Sequence, residues 1–277
     1  MNYQTYTWLA KDGLKLFAQS WSPQKDEKKV ILLVHGLGEH CVRYDHWAKQ
    51  FNKKGYTFLS LDLHGHGKSE GKRGHVKSLD VLLDDIDILY DKSEELFPGY
   101  KKILYGHSMG GALAINHLLI RNRKIDAVII TSPWLKLFKE PPFVVIKLTA
   151  FLKKLFPSLA ISNQLKPEQI SHDPAIIKDY GTDPLNHDRI SLNMFHEIYQ
   201  AGYYALQNAE KIKTPFLIMH GTADTITSPK ASEEYARNSK GNASLKLWPD
   251  QYHELQNEFI KEEVNSYIIS WLDENKI

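Results

Sequence analysis

The sequence predicts an α/β fold built on a mainly parallel eight-stranded sheet, and three observations carry that prediction. Short continuous apolar runs recur along the chain, as in strands covered on both faces. Stretches with helical periodicity separate them, so that strand and helix alternate. At one strand-to-helix junction stands Gly106-His107-Ser108-Met109-Gly110, a serine on a sharp turn flanked by glycines.

The elements follow in order. Strands at 5–10 and 15–21 flank Lys11-Asp12-Gly13, whose Asp-Gly pair suits the positive-φ positions of a tight antiparallel turn. The runs VILLV (30–34), TFLSL (57–61), ILY (103–105), AVII (127–130), FLIM (216–219) and LKLW (245–248) supply the other strands. Helices are expected at 43–53, 79–97, 110–121, 232–239 and 258–275. Between 130 and 216 there is no strand signal, only helical runs punctuated by prolines from Pro133 to Pro184. The expected organisation is a core of residues 1–133 and 206–277, with a helical cap of residues 134–205 inserted after the sixth strand. Such a cap lies over the carboxyl end of the sheet, where open α/β folds bind ligands.

Composition narrows the function classes. A chain of 277 residues, 42% hydrophobic and 25% charged, can bury one large core and carry one insertion. With 35 Lys and Arg against 33 Asp and Glu, the net charge of +2 gives no field for gripping nucleic acid, which is not an expected partner. Cys41 is the sole cysteine, which excludes an intrachain disulfide and a Cys₂His₂ or Cys₄ zinc site and fits a reducing compartment. The first ten residues lack the basic and apolar regions of a signal peptide, and a cytoplasmic location is expected. The longest apolar stretch, 143–156, is interrupted by Lys147, Lys153 and Lys154 and falls short of the roughly 20 residues that span a bilayer. The sequence assigns no oligomeric state.

Ser108 is the candidate nucleophile. A serine hydroxyl needs a base, and the base an orienting acid. Where the serine sits on such a turn, the partners follow in the order Ser, Asp or Glu, His. Asp224, in HGTAD, lies just beyond FLIM, and His253, in YHEL, follows LKLW. A lone loop aspartate is commonly a turn residue and a lone loop histidine a surface one, but their order after two late strands singles them out. Acyl transfer also needs two backbone N–H donors for the oxyanion. Met109 supplies one, and Leu37, in His35-Gly36-Leu37-Gly38-Glu39-His40 after VILLV, is the candidate for the other.

Other motifs fail on inspection. The segment 62–69 ends in GKS, yet the first glycine of a phosphate loop is replaced by Asp62. His253-Glu254 begins like HExxH, but position 257 is asparagine. His64 with His66, and His35 with His40, lack an accompanying carboxylate-rich pattern, so neither metal nor cofactor is expected.

With these residues in view, the chain resembles the monoacylglycerol lipase and lysophospholipase branch of the α/β-hydrolase superfamily over nearly its whole length. HGLGEH (35–40) followed by Arg43-Tyr44, DLHGHGKSEG (62–71) and GHSMGG (106–111) match its motifs. In the cap, Ser171-His172-Asp173-Pro174 and Asp183-Pro184-Leu185 resemble its signature, and YHELQNE (252–258) resembles its histidine segment. The resemblance implies a cofactor-independent serine ester hydrolase with Ser108 as nucleophile, His253 as base, Asp224 as acid, and Leu37 and Met109 as oxyanion donors. It implies a single-chain lipid ester as substrate, monoacylglycerols first. Lysophospholipids, short-chain esters, a peptidase activity and a ligand-binding receptor on the same scaffold stay open. Asp250 stands where the family has glycine, a substitution that left-handed backbone tolerates in aspartate. The cap interior diverges, leaving acyl and head-group specificity open.

Read as a helix, 143–156 gathers Val144, Val145, Leu148, Phe151, Leu152, Leu155 and Phe156 within an arc of about 140°, with Lys147 and Lys154 opposite. Two readings fit: a cap helix packed on the core, or an interfacial helix with apolar residues in lipid and lysines at head groups. Charge bears on the choice. Residues 134–166 hold six lysines against Glu140, a net +5 that leaves −3 for the rest of the chain.

Overall fold

The computed structural model describes residues 2–121 and 123–277. The chain opens with β1 (Asn2–Leu9), β2 (Lys15–Ser22), β3 (Lys29–Val34), α1 (Asp45–Asn52), β4 (Tyr56–Leu61), α2 (Leu79–Leu96), β5 (Lys101–His107), α3 (Met109–Arg121) and β6 (Ala127–Thr131). After β6 come α4 (Phe143–Leu155), β7 (Ala160–Ser162), α5 (Pro174–Thr182), β8 (Arg189–Ser191) and α6 (Leu192–Gln207). It closes with β9 (Phe216–Gly221), α7 (Pro229–Asn238), β10 (Ala243–Trp248) and α8 (Lys261–Glu274). The main sheet has eight strands in the order β1-β2-β4-β3-β5-β6-β9-β10. β2 pairs antiparallel with β1 and β4, and every later pairing is parallel.

Strand alternation divides the core in two. Val30, Leu32 and Val34 of β3 belong to the cluster that holds Leu83 and Ile86 of α2, Leu113 of α3, Ile198 of α6 and Tyr235 of α7. Ile31 and Leu33 point the other way, into a cluster with Trp47 and Phe51 of α1 and Ile268 and Trp271 of α8. The sheet is thus covered on both faces, the condition under which continuous apolar strands are stable.

Local chemistry sets the boundaries. The first hairpin closes through the loop Lys11-Asp12-Gly13, with Gly13 N–H donating to Ala10 O at 3.0 Å, and Gly13 alone of the Asp-Gly pair takes a positive φ, +86°. Asp12 instead accepts the Leu14 N–H on its side chain at 3.2 Å. α7 starts at Pro229, earlier than its apolar pattern suggests, because Ser228 caps it by accepting the Ala231 N–H and proline suits the first helical position.

The stretch between β6 and β9 departs from expectation in one respect. It contains two strands, β7 and β8, paired antiparallel with Ile161 opposite Ile190. Strands this short carry too few residues to form a periodic signal. α6 lies along α3 and buries Met194, Ile198, Ala201 and Ala205. α4 buries none of its residues. Phe143 is 72% exposed and Phe151 61%, so the apolar face is not packed on the core. Among the described residues, no helix is long and apolar enough to cross a membrane.

Candidate active site

Ser108 sits between the end of β5 and the start of α3 with φ +54°, a left-handed conformation that costs a non-glycine residue of order 1–3 kcal/mol. The turn is possible because its neighbours lack side chains. A Cβ on Gly106 would press on the backbone of Gly110 and Gly111, and one on Gly110 would collide with the carbonyl oxygen of Val34. The Ser108 N–H donates to Thr131 O at 3.0 Å, fastening the turn to β6.

The structure brings Ser108, His253 and Asp224 together. His253 Nε2 lies 2.9 Å from Ser108 Oγ, and His253 Nδ1 donates to Asp224 Oδ2 at 2.6 Å. Asp224 Oδ1 accepts the N–H groups of Ile226 (2.7 Å) and Thr227 (3.1 Å), which fixes the carboxylate at the end of β9. Burial pushes the Asp224 carboxyl up, but His253 and His220 outweigh it and hold it well below the usual carboxylate range. Burial pushes the His253 imidazole down, and the Asp224 carboxylate more than reverses this. The turn before His253 is made by Asp250 at φ +57°, its N–H bonded to Thr222 Oγ1 at 2.9 Å.

Leu37 lines the cavity in front of Ser108, and Met109 is buried at the first position of α3. The loop carrying Leu37 is braced by Glu39, whose Oε1 accepts the Gly36 N–H at 2.6 Å and the Tyr44 hydroxyl at 2.8 Å.

The motifs that contain Glu39, Arg43 and Glu254 do not reveal that these side chains form a buried ion group beside the site. Arg43 donates to both carboxylate oxygens of Glu254 at 2.8 Å and to Glu39 Oε2 at 2.5 Å, and lies 4.7 Å from the Tyr180 ring centroid. Burial pushes the Glu39 carboxyl up, but Arg43 outweighs it, leaving the carboxyl at about 2. The adjacency of Glu254 to His253, and of Arg43 to the HGLGEH loop, was the available signal.

The cavity measures about 260 Å³. Its lining includes the apolar side chains of Leu137, Leu165, Ile190, Phe195 and Ile226 and the polar groups of Glu39, His107, Tyr180 and Glu254. Among the described residues, no group of three or more His, Cys, Asp or Glu side chains is arranged to hold a metal ion. His64 is bonded to Asp85 (2.7 Å) and Asp12 (3.2 Å), and His35 accepts the Leu63 N–H at 3.0 Å.

A family model described as serine aminopeptidase, S33, matches residues 25–259. The chain is 37% identical over 269 residues to an uncharacterized abhydrolase domain-containing protein of Dictyostelium discoideum, covering 96% of this chain but only 28% of that relative's length. It is 29% identical over 266 residues to the monoacylglycerol lipase of Mycolicibacterium smegmatis, covering 94% of this chain and 95% of the relative. The crystal structure of the Paleococcus ferrophilus monoacylglycerol lipase matches with a TM-score of 0.84 at 35% identity, covering 94% of this chain and 99% of that one. On the extent of these matches, the chain belongs to the serine hydrolase family S33 of the α/β-hydrolase fold, in the ester-hydrolase group that includes monoacylglycerol lipases.

Proposed function

We propose that the protein cleaves monoacylglycerols to fatty acid and glycerol through an acyl-enzyme on Ser108. The observation that carries this reading is His253, bonded to Ser108 Oγ on one side and Asp224 on the other, at a cavity lined by apolar side chains such as Leu137, Ile190 and Phe195 and by polar ones such as Glu39 and Tyr180. His253 Nε2 takes the Ser108 proton as Oγ attacks the ester carbonyl, and Asp224 stabilises the imidazolium that forms. The N–H groups of Leu37 and Met109 receive the oxyanion. Collapse of the tetrahedral intermediate breaks the ester C–O bond, and His253 returns its proton to the departing glycerol oxygen. Water, deprotonated by the same imidazole, then releases the fatty acid and restores Ser108.

The cap supports a second part of the proposal: α4 docks on an anionic lipid surface. Its outward face carries Phe143, Val144, Leu148, Phe151 and Leu155, each more than half exposed, beside the lysines of the positively charged 134–166 segment. Apolar residues flanked by lysines fit the interface between acyl chains and head groups.

The test is a substrate series on purified protein: 1-monoacylglycerols from acetyl to oleoyl, lysophosphatidylcholine and an aminoacyl amide. The highest kcat/KM is expected with medium or long-chain monoacylglycerols. Preference for acetyl esters would point to a short-chain carboxylesterase, and preference for lysophosphatidylcholine to a lysophospholipase. Labelling of Ser108 by a fluorophosphonate with no turnover of any ester would instead favour a ligand-binding protein.

A further inference from the structure

Asp224 is shared by two imidazoles. Its Oδ2 accepts from His253 Nδ1 at 2.6 Å and from His220 Nε2 at 2.9 Å, and Thr227 Oγ1 also lies 2.9 Å away. On its far side, His220 Nδ1 is 2.7 Å from Ser232 Oγ in α7. His220, Ser232 and Asp224 are all fully buried. The proton arrangement follows from the partners. Nε2 faces a carboxylate and must carry the hydrogen, so Nδ1 is the acceptor and the Ser232 hydroxyl donates to it. Two hydroxyl–imidazole arms therefore converge on one carboxylate oxygen: Ser108 and His253 on the cavity side, Ser232 and His220 on the closed side.

We propose that His220, fixed in tautomer by Ser232, is a positioning residue for the reaction, holding Asp224 in place and drawing off part of the charge it offers His253. The inference rests on the Ser108–His253–Asp224 reading and adds to it a second donor with a directional effect. A donor on Oδ2 spreads the carboxylate charge, so the carboxylate holds the His253 proton less tightly. Removing that donor concentrates the charge on His253, which then stays protonated to higher pH. The other charged or titratable groups facing His253 are His107, whose ring lies 4.9 Å away, and the pair Glu254 and Glu39, both bound to Arg43. None of these is hydrogen-bonded to His220, which from α7 and the β9–α7 loop meets the hydroxyls of Ser232 and Thr227.

The experiment measures the rate of fluorophosphonate labelling of Ser108 against pH, which needs the base but no particular ester. In His220→Ala the acid limb should move up by about one pH unit. His220→Gln, whose amide N–H can reach the same oxygen, should return it toward the wild-type position. Ser232→Ala, a milder change that tests the tautomer even where His220→Ala does not fold, should move the limb the same way by a smaller amount. An acid limb unmoved in Ser232→Ala and in folded His220→Ala, a downward move, or a glutamine variant that behaves like alanine would overturn the inference. Absence of any labelling in the wild type would overturn the parent reading instead.

Discussion

The backbone N–H of His187 donates to the carbonyl oxygen of Gly38 at 2.9 Å, so the segment leading into β8 is bonded directly to the loop that carries Leu37. A second bond lies beside it, His40 Nε2 to Asp183 Oδ2 at 2.8 Å. Gly38 holds φ +76°, and a Cβ there would collide with the His187 carbonyl oxygen. Gly38→Ala should therefore displace the Leu37 N–H. In the proposed mechanism that N–H is an oxyanion donor, whose loss costs about 10²–10³ in kcat, and steady-state kinetics on a soluble ester should show that loss with KM little changed. A rise in KM with kcat intact would argue against a role in the oxyanion site.

Ser108→Ala should abolish ester hydrolysis and fluorophosphonate labelling while thermal unfolding stays close to the wild type. The side chain contributes one hydrogen bond to His253, and the left-handed φ of +54° that alanine would have to adopt is one that serine, also a non-glycine residue, already bears. Full hydrolysis by the purified, folded variant would remove Ser108 from the mechanism.

What the sequence makes legible here is local. Ser108 and Asp224 lie where a parallel strand hands the chain onward, and His253 follows β10 by a short turn, so strand order alone suggests that they meet. Arg43 and Glu254 are separated by 211 positions, and no periodicity records their contact. His220 lies at the end of β9 beyond the apolar run FLIM, and only the return of α7 brings Ser232 to it. The stripe on α4 is readable, but a stripe does not say what covers it.

Asp224 raises the affinity of His253 for its proton, so the acid limb of kcat/KM should lie above the ordinary imidazole value of about 6.5. The sign is set by the base: in the proposed mechanism activity needs neutral His253 and falls as pH drops through its raised value. Asp224→Asn should move the limb down and lower kcat by roughly 10⁴, as expected when the imidazole loses its orienting acid. A pH profile of both proteins on one ester checks the direction, and an upward move would contradict the assignment.

Arg43→Met leaves Glu39 and Glu254 buried without their cation, and breaking a buried ion group in this way typically costs about 3–5 kcal/mol. The loss should depend on pH. Because Glu39 is depressed to about 2, its stabilising contribution is present above the ordinary glutamate value and is lost as pH falls toward 2. Denaturant titrations should show the gap between wild type and variant narrowing over that acid range. A gap independent of pH would mean that packing of the Arg43 side chain, not its charge, is what matters.

The apolar face of α4 and its lysines can be separated by salt. At low ionic strength the protein should sediment with anionic vesicles, and the fraction bound should fall as salt screens the lysines over about 10 Å at 0.1 M. Replacing Lys147, Lys153 and Lys154 with glutamine should reduce the salt-sensitive part of binding. Lys153 also meets Glu197 at 3.5 Å, so Lys147 and Lys154 should account for most of the change. Phe143→Ser with Phe151→Ser should weaken the part that persists at high salt, since burying each such side chain is worth about 1.5–3 kcal/mol. Turnover of a soluble ester should stay near the wild-type rate in both sets, because α4 contributes no residue to the cavity lining. No vesicle binding at low salt would rule out the lipid surface, and concentration-dependent self-association would assign the face to a second copy of the chain.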